Sequence, residues 1–240
     1  MNVVRGSLPA NVRQALVRMQ FCVVVALIVL AHRAEAQATI NSPYRFIDQS
    51  QSFGIWGGAV SSASGTVDIG PQGGPMLGLR YGIRLSGPFT VEADVAYFPS
   101  TRAVRDSVVV NDEREQIGEA DINLALGMAT LRFNLTGPRT WHRLQPFVAF
   151  GGGATVDLSG STTQEEALPA GIQFDYGTSF AGHFGGGIEW FPSDRLSVRL
   201  DARNVLWKIP TPVGFLGGPL GLETPEDEWV QNGVFTLGLS

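Results

Sequence analysis

From Pro75 to Leu85 the chain alternates strictly. Leu77, Leu79, Tyr81, Ile83 and Leu85 occupy one parity, and Met76, Gly78, Arg80, Gly82 and Arg84 the other. A period of two is the geometry of a β-strand, whose successive side chains point to opposite faces. The next segment repeats the pattern, with Phe89, Val91, Ala93, Val95 and Tyr97 against Thr90, Glu92, Asp94, Ala96 and Phe98. Each run is about ten residues long, the length of a tilted strand that crosses a bilayer.

The pattern continues along the chain. Ile122, Leu124, Leu126 and Met128 alternate with Asp121, Asn123, Ala125 and Gly127; the apolar parity then shifts to Leu131, Phe133 and Leu135, which predicts a bulge near Ala129. Val148, Phe150, Ala154 and Val156 alternate with Ala149, Gly151, Gly153 and Thr155. Phe180, Phe184, Ile188 and Trp190 oppose His183, Gly185, Gly187 and Glu189. Leu196, Val198, Leu200 and Ala202 oppose Ser197, Arg199, Asp201 and Arg203, and Phe235, Leu237 and Leu239 oppose Val234, Thr236 and Gly238. A weaker strand covers Ser52 to Val60. About eight strands result.

Connection lengths decide between a soluble and a membrane setting. Short links follow the even strands, at Ser86 to Pro88, Thr136 to Arg143 and Pro192 to Arg195. Long polar links follow the odd ones, at Ser61 to Gly74, Pro99 to Glu119, Asp157 to Gly177 and Lys208 to Glu228. Short/long alternation is the habit of an outer-membrane barrel, with tight periplasmic turns and long outside loops. A soluble sandwich or lipocalin-like barrel would turn its apolar parity inward, yet the polar parities here are rich in Gly and Ala and make poor solvent faces. The expected fold is all-β, an antiparallel up-and-down transmembrane β-barrel. Trp56, Phe89, Tyr97, Phe98, Phe133, Trp190, Phe191, Trp207 and Trp229 fall near strand ends, where interfacial girdles form.

The first residues read as an export signal. Arg5, Arg13 and Arg18 precede the apolar run Phe21 to Ala31, and Ala34-Glu35-Ala36 offers small residues for a signal peptidase. The expected division is a signal peptide over 1–36 and a barrel domain over 37–240. Losing Arg5, Arg13, Arg18, Arg33 and Glu35 takes the net charge from −5 to −8, which gives nucleic-acid binding no electrostatic support. The single cysteine, Cys22, leaves with the signal, so the mature chain has neither disulfide nor thiolate chemistry.

Several stretches carry a family resemblance. Gly185-Gly186-Gly187-Ile188-Glu189-Trp190-Phe191-Pro192-Ser193-Asp194-Arg195-Leu196-Ser197-Val198-Arg199-Leu200-Asp201-Ala202-Arg203 resembles the penultimate hairpin of the small outer-membrane barrels typified by OmpA and OmpX. Gln145-Pro146-Phe147-Val148-Ala149-Phe150-Gly151-Gly152-Gly153 is similar to that family's proline-aromatic-glycine strand, and Gly233 to Ser240 to its final strand. The resemblance implies a barrel in the cell outer membrane, inserted by the barrel-assembly machinery. Family members usually end on an aromatic residue, whereas Ser240 stands here, and no peptidoglycan-binding domain follows the barrel, so cell-wall binding is not implied.

The chemistry expected of such a barrel lies in its lumen. Arg80, Arg84, Glu92, Asp94, Asp121, Glu189, Arg199, Asp201 and Arg203 should share one interior, where isolated charge is costly and opposite signs must pair. Nucleophilic catalysis would need a hydroxyl beside a histidine oriented by an acid. Only His142 and His183 follow the signal, neither in a His-X-Ser setting, so no catalytic residue, metal site or cofactor is expected. The glycine triplets at 151–153 and 185–187 lie within strands rather than before a helix, which excludes a phosphate loop. Asp112 to Glu119 and Glu223 to Glu228 place acids in outside loops, open to a cation-bridged lipopolysaccharide contact. The expected role is structural, envelope-maintaining or surface-interacting, in a monomer whose partners are outer-membrane lipids and lipopolysaccharide. The alternatives are a lipid-modifying enzyme and a narrow-lumen transport protein.

Overall fold

The computed structural model describes residues 42–110, 113–160, 162–216 and 226–240. The expected signal segment and parts of three outside loops lie outside the described residues. Ten strands follow in order: β1 Tyr44–Phe46, β2 Gln51–Ser61, β3 Gly74–Arg84, β4 Phe89–Val110, β5 Glu113–Asn134, β6 Arg139–Trp141, β7 Leu144–Asp157, β8 Thr178–Trp190, β9 Val198–Pro210 and β10 Asp227–Leu239. A short helix α1, Thr163–Glu166, and a 3-10 turn, Val213–Phe215, lie in the long connections.

Eight of these strands make one antiparallel wall in the order β2-β3-β4-β5-β7-β8-β9-β10. The wall closes because β10 pairs back onto β2, from Gly233 opposite Ser61 to Leu239 opposite Ile55. Closure leaves the wall no free edge. The two three-residue strands β1 and β6 pair with each other, and β6 meets β7 through Trp141 and Leu144. That arrangement puts a small ribbon at the end of the barrel that carries the short turns.

The alternation sets which side faces out. Leu77, Leu79, Tyr81 and Ile83 of β3 stand 40–66% exposed, while Arg80 is buried. Phe53, Ile55, Val95, Phe150, Phe180, Phe184, Leu200, Phe235 and Leu237 likewise point outward from their strands. A water-soluble monomer does not carry an unbroken apolar belt around its whole girth; a lipid-facing wall requires one. Among the described residues no helix is long and apolar enough to cross a membrane.

The β3–β4 turn is tight. Leu85 N–H donates to Phe89 O at 3.0 Å, and Gly87 takes φ +58°. Gly82 therefore stands opposite Glu92, Arg80 opposite Asp94 and Arg84 opposite Thr90. This pairing follows from parity together with the three-residue link.

The structure corrects three sequence-based expectations. Residues 99–119 are not a loop for most of their length: β4 and β5 each run 22 residues and prolong the hairpin beyond their neighbours. No bulge occurs near Ala129. The β4–β5 register runs unbroken from Phe89 opposite Phe133 to Val104 opposite Gly118, and shifts only around Arg105. Hence Ile122, Leu124 and Leu126 point inward and are buried, and Asp121 is the exposed parity. The reason is that the lumen itself turns apolar toward the long-loop end. Finally, Trp56, Phe98 and Trp207 are not girdle residues; they are buried in that apolar part of the lumen.

Candidate functional site

The lumen has two storeys. Toward the short turns it holds a network of ions carried by β3, β4, β5, β8 and β9. Arg80 Nε lies 2.6 Å from Asp94 Oδ1, and its Nη1 lies 3.2 Å from Asp201 Oδ2. Glu92 accepts from Arg199 Nη1 at 2.6 Å and lies 3.4 Å from Arg132 Nη1. Glu189 receives Arg132 Nη2 at 2.5 Å and the Ser197 hydroxyl at 2.6 Å. Asp201 also lies 3.0 Å from Arg199 and accepts from Arg203 Nη2 at 3.1 Å, and the Arg203 Nη1 lies 3.6 Å from Asp94. Four guanidinium groups and four carboxylates thus interlock, all nearly shut off from solvent.

Neutral groups complete the network. Asn134 and Gln145 accept from Arg132 at 2.6 and 3.1 Å, and Thr130 donates to Asp94 at 3.4 Å. The Phe147 ring has Arg132 and Arg199 stacked at 4.2 and 4.1 Å from its centroid. Two desolvated cations on one ring add attraction that a polar side chain there could not supply. Small residues make the room: a Cβ at Gly187 would meet the Phe147 ring and the Leu200 carbonyl.

Toward the long loops the lumen is apolar. Phe98 reaches across from β4 to Trp207 of β9, with ring centroids 6.2 Å apart. Trp56, Val60, Met76, Ile122, Leu124, Leu126, Val205 and Val234 fill the space around them. Arg80 marks the boundary, its guanidinium 5.7 Å from the Trp56 ring. Above this storey the loops fold over the mouth. Ile69, Ile172 and Phe215, from three separate connections, form a second small core. Arg102 of β4 donates to Glu165 of α1 at 2.5–2.6 Å, both buried, and its guanidinium stacks 4.8 Å from Phe174. Just before β8, Tyr176 hydrogen-bonds Thr155 at 2.6 Å, and burial pushes its phenol up to about 12.

Of the nine charges expected in the lumen, seven meet in this network: Arg80, Glu92, Asp94, Glu189, Arg199, Asp201 and Arg203. Arg84 sits at the short-turn mouth and donates to Ile47 O at 2.9 Å. Asp121 does not take part, because its side of β5 is the outer one. Sequence reasoning missed Arg132, although it lies between the outward Leu131 and Phe133 and the same parity argument marks it. It also missed the Arg102–Glu165 pair, which joins residues 63 positions apart across two connections.

A closed eight-stranded antiparallel wall, apolar outside and ionic within, defines an up-and-down β-barrel with a lipid-facing exterior. No family model matches the chain, and no curated protein sequence matches it significantly. Solved structures do match. The crystal structure of Neisserial surface protein A aligns with a TM-score of 0.45 and 14% identity, over 80% of this chain and 97% of that one. The attachment invasion locus protein Ail of Yersinia pestis, crystallised with the heparin analogue sucrose octasulfate, aligns with a TM-score of 0.38 and 13% identity, over 79% and 95%. The same Yersinia protein in a phospholipid bilayer nanodisc gives 0.37 and 14%, over 79% and 98%.

Proposed function

We infer that the protein is a non-catalytic structural and surface protein of the outer membrane, exported behind a cleaved signal. Its short turns lie in the periplasm and its folded loops outside. The carrying observation is the filled lumen. Four interlocked ion pairs close the lower storey, the Phe98–Trp207 bridge closes the upper one, and the loop core covers the mouth. An eight-stranded barrel has room inside for side chains and little else. His183 Nε2 lies 3.2 Å from Thr130 Oγ1, but both are buried, so a lipid carbonyl has no route to them. That leaves the outer wall for lipid and lipopolysaccharide, and the loops for surface partners.

Reconstitution into vesicles of outer-membrane lipids tests this reading against both rivals. Purified protein is expected to give no stable conductance steps and no lipid turnover. Large single-channel steps would favour transport. Turnover that disappears in His183→Ala or His142→Ala would establish an enzyme.

A further inference from the structure

The β1–β6 ribbon carries an aromatic face that the barrel itself does not use. Tyr44 stands opposite Trp141 and Phe46 opposite Arg139, so these four side chains share one face. Arg45 and Thr140 take the other, and Thr140 is buried. Tyr44, Phe46 and Trp141 are 48%, 62% and 48% exposed. Two strands of three residues are marginal on their own in water, and three large rings exposed together on them demand a covering surface.

The register shows which surface. Trp141 stands opposite Leu144, Leu144 opposite Trp190, and Trp190 opposite Val198. The aromatic face of the ribbon thus continues, in direct register, the lipid-facing row of β7, β8 and β9. It extends the apolar belt past the short-turn rim on one side. The charge there is cationic. Arg45, Arg139, Arg143 and Arg195 occupy this end, against Asp48 and Asp194. The Arg139 guanidinium is held 4.5 Å over the Phe46 ring, and Arg143 Nη1 donates to Pro192 O at 2.7 Å, which ties the β6–β7 turn to the β8–β9 turn. That turn is built on two residues with positive φ, His142 and Arg143, and His142 N–H donates to Pro43 O.

We propose that this ribbon is a headgroup-binding foot, seated on the inner leaflet of the outer membrane, that selects anionic phospholipid. The rings enter the interface, and Arg139 and Arg143 meet the phosphodiester at headgroup depth. The proposal rests on the periplasmic placement of the short turns. Its test therefore separates failure of the foot from failure of the barrel.

Delipidated full-length protein in neutral detergent is titrated with phosphatidylglycerol or phosphatidylcholine, and bound lipid is counted by native mass spectrometry. Gel mobility before and after boiling reports the barrel. The native protein is expected to prefer phosphatidylglycerol. Arg139→Gln should weaken that preference about fivefold, and Arg139→Gln with Arg143→Gln roughly 30-fold, from the attraction of one basic residue near an anionic surface. Trp141→Ser should weaken both lipids alike. Equal retention of the two lipids by a heat-modifiable native protein would reduce the ribbon to an ordinary girdle and overturn the proposal. So would a preference that survives the double arginine variant, or a dimer that forms through Trp141 in place of lipid. Loss of heat modifiability in the native protein would sink the barrel reading and the foot with it.

Discussion

Asp94 holds Arg80 at 2.6 Å and draws Arg203 to 3.6 Å, inside a wall that keeps water away. Desolvation makes such a pair weak evidence of net stability, but removing one partner strands the other and costs about 3–5 kcal/mol. Asp94→Ala is therefore expected to lower the urea midpoint of the barrel far more than the double change Arg80→Met with Asp94→Leu. The double variant leaves Asp201 with Arg199 and Arg203, and Glu92 with Arg199 and Arg132, so the remaining charges still balance. Equal losses would show that the pair does not act as a unit. This contact was legible from residues alone, because parity and the Ser86 to Pro88 link allow one register, and a slip by one would turn a strand inside out. Asp121 was misplaced for an equally physical reason. Apolar parity marks the lipid-facing side only over a polar lumen, and it reverses where Ile122, Leu124 and Leu126 line an apolar one. Counting back by twos from Leu131 and Phe133 would have placed Ala129, Gly127 and Ala125 outward without any bulge.

Among the elements, the loops are the part that sequence periodicity could not reach. Period-two patterns mark the eight wall strands. They are silent about β1 and β6, which are three residues long and pair across some 95 positions. They are silent too about α1, which the Arg102–Glu165 pair fixes above the mouth. With that pair goes a backbone contact, since Phe174 N–H donates to Glu165 at 3.3 Å. Glu165→Gln should leave Arg102 buried without a counter-charge and loosen the cap by about 3 kcal/mol. Chymotrypsin added outside sealed proteoliposomes is then expected to cut the 158–177 connection, at Phe174, at least tenfold faster than in the native protein. The wall should stay intact under the same treatment. An unchanged cutting rate would mean that the Ile69–Ile172–Phe215 core alone holds the cap.

For the molecule as a whole, wall and filling are one object. A closed wall has no edge strand for detergent or another chain to open, so folded protein should migrate apart from the boiled form on SDS gels. Identical mobility in protein extracted from membranes would contradict closure. The seam also governs how the chain reaches this state. Its two strands, β2 and β10, come from opposite ends of the described barrel. The carboxylate of Glu92 on β4 meets Arg199 on β9, 107 residues later. The seam cannot exist in part: seven strands leave two raw edges and a charged interior open to lipid. Assembly is consequently a single cooperative event of high contact order. A nascent chain has no stable halfway house in the bilayer, and the last strand to arrive decides whether any of the others stay.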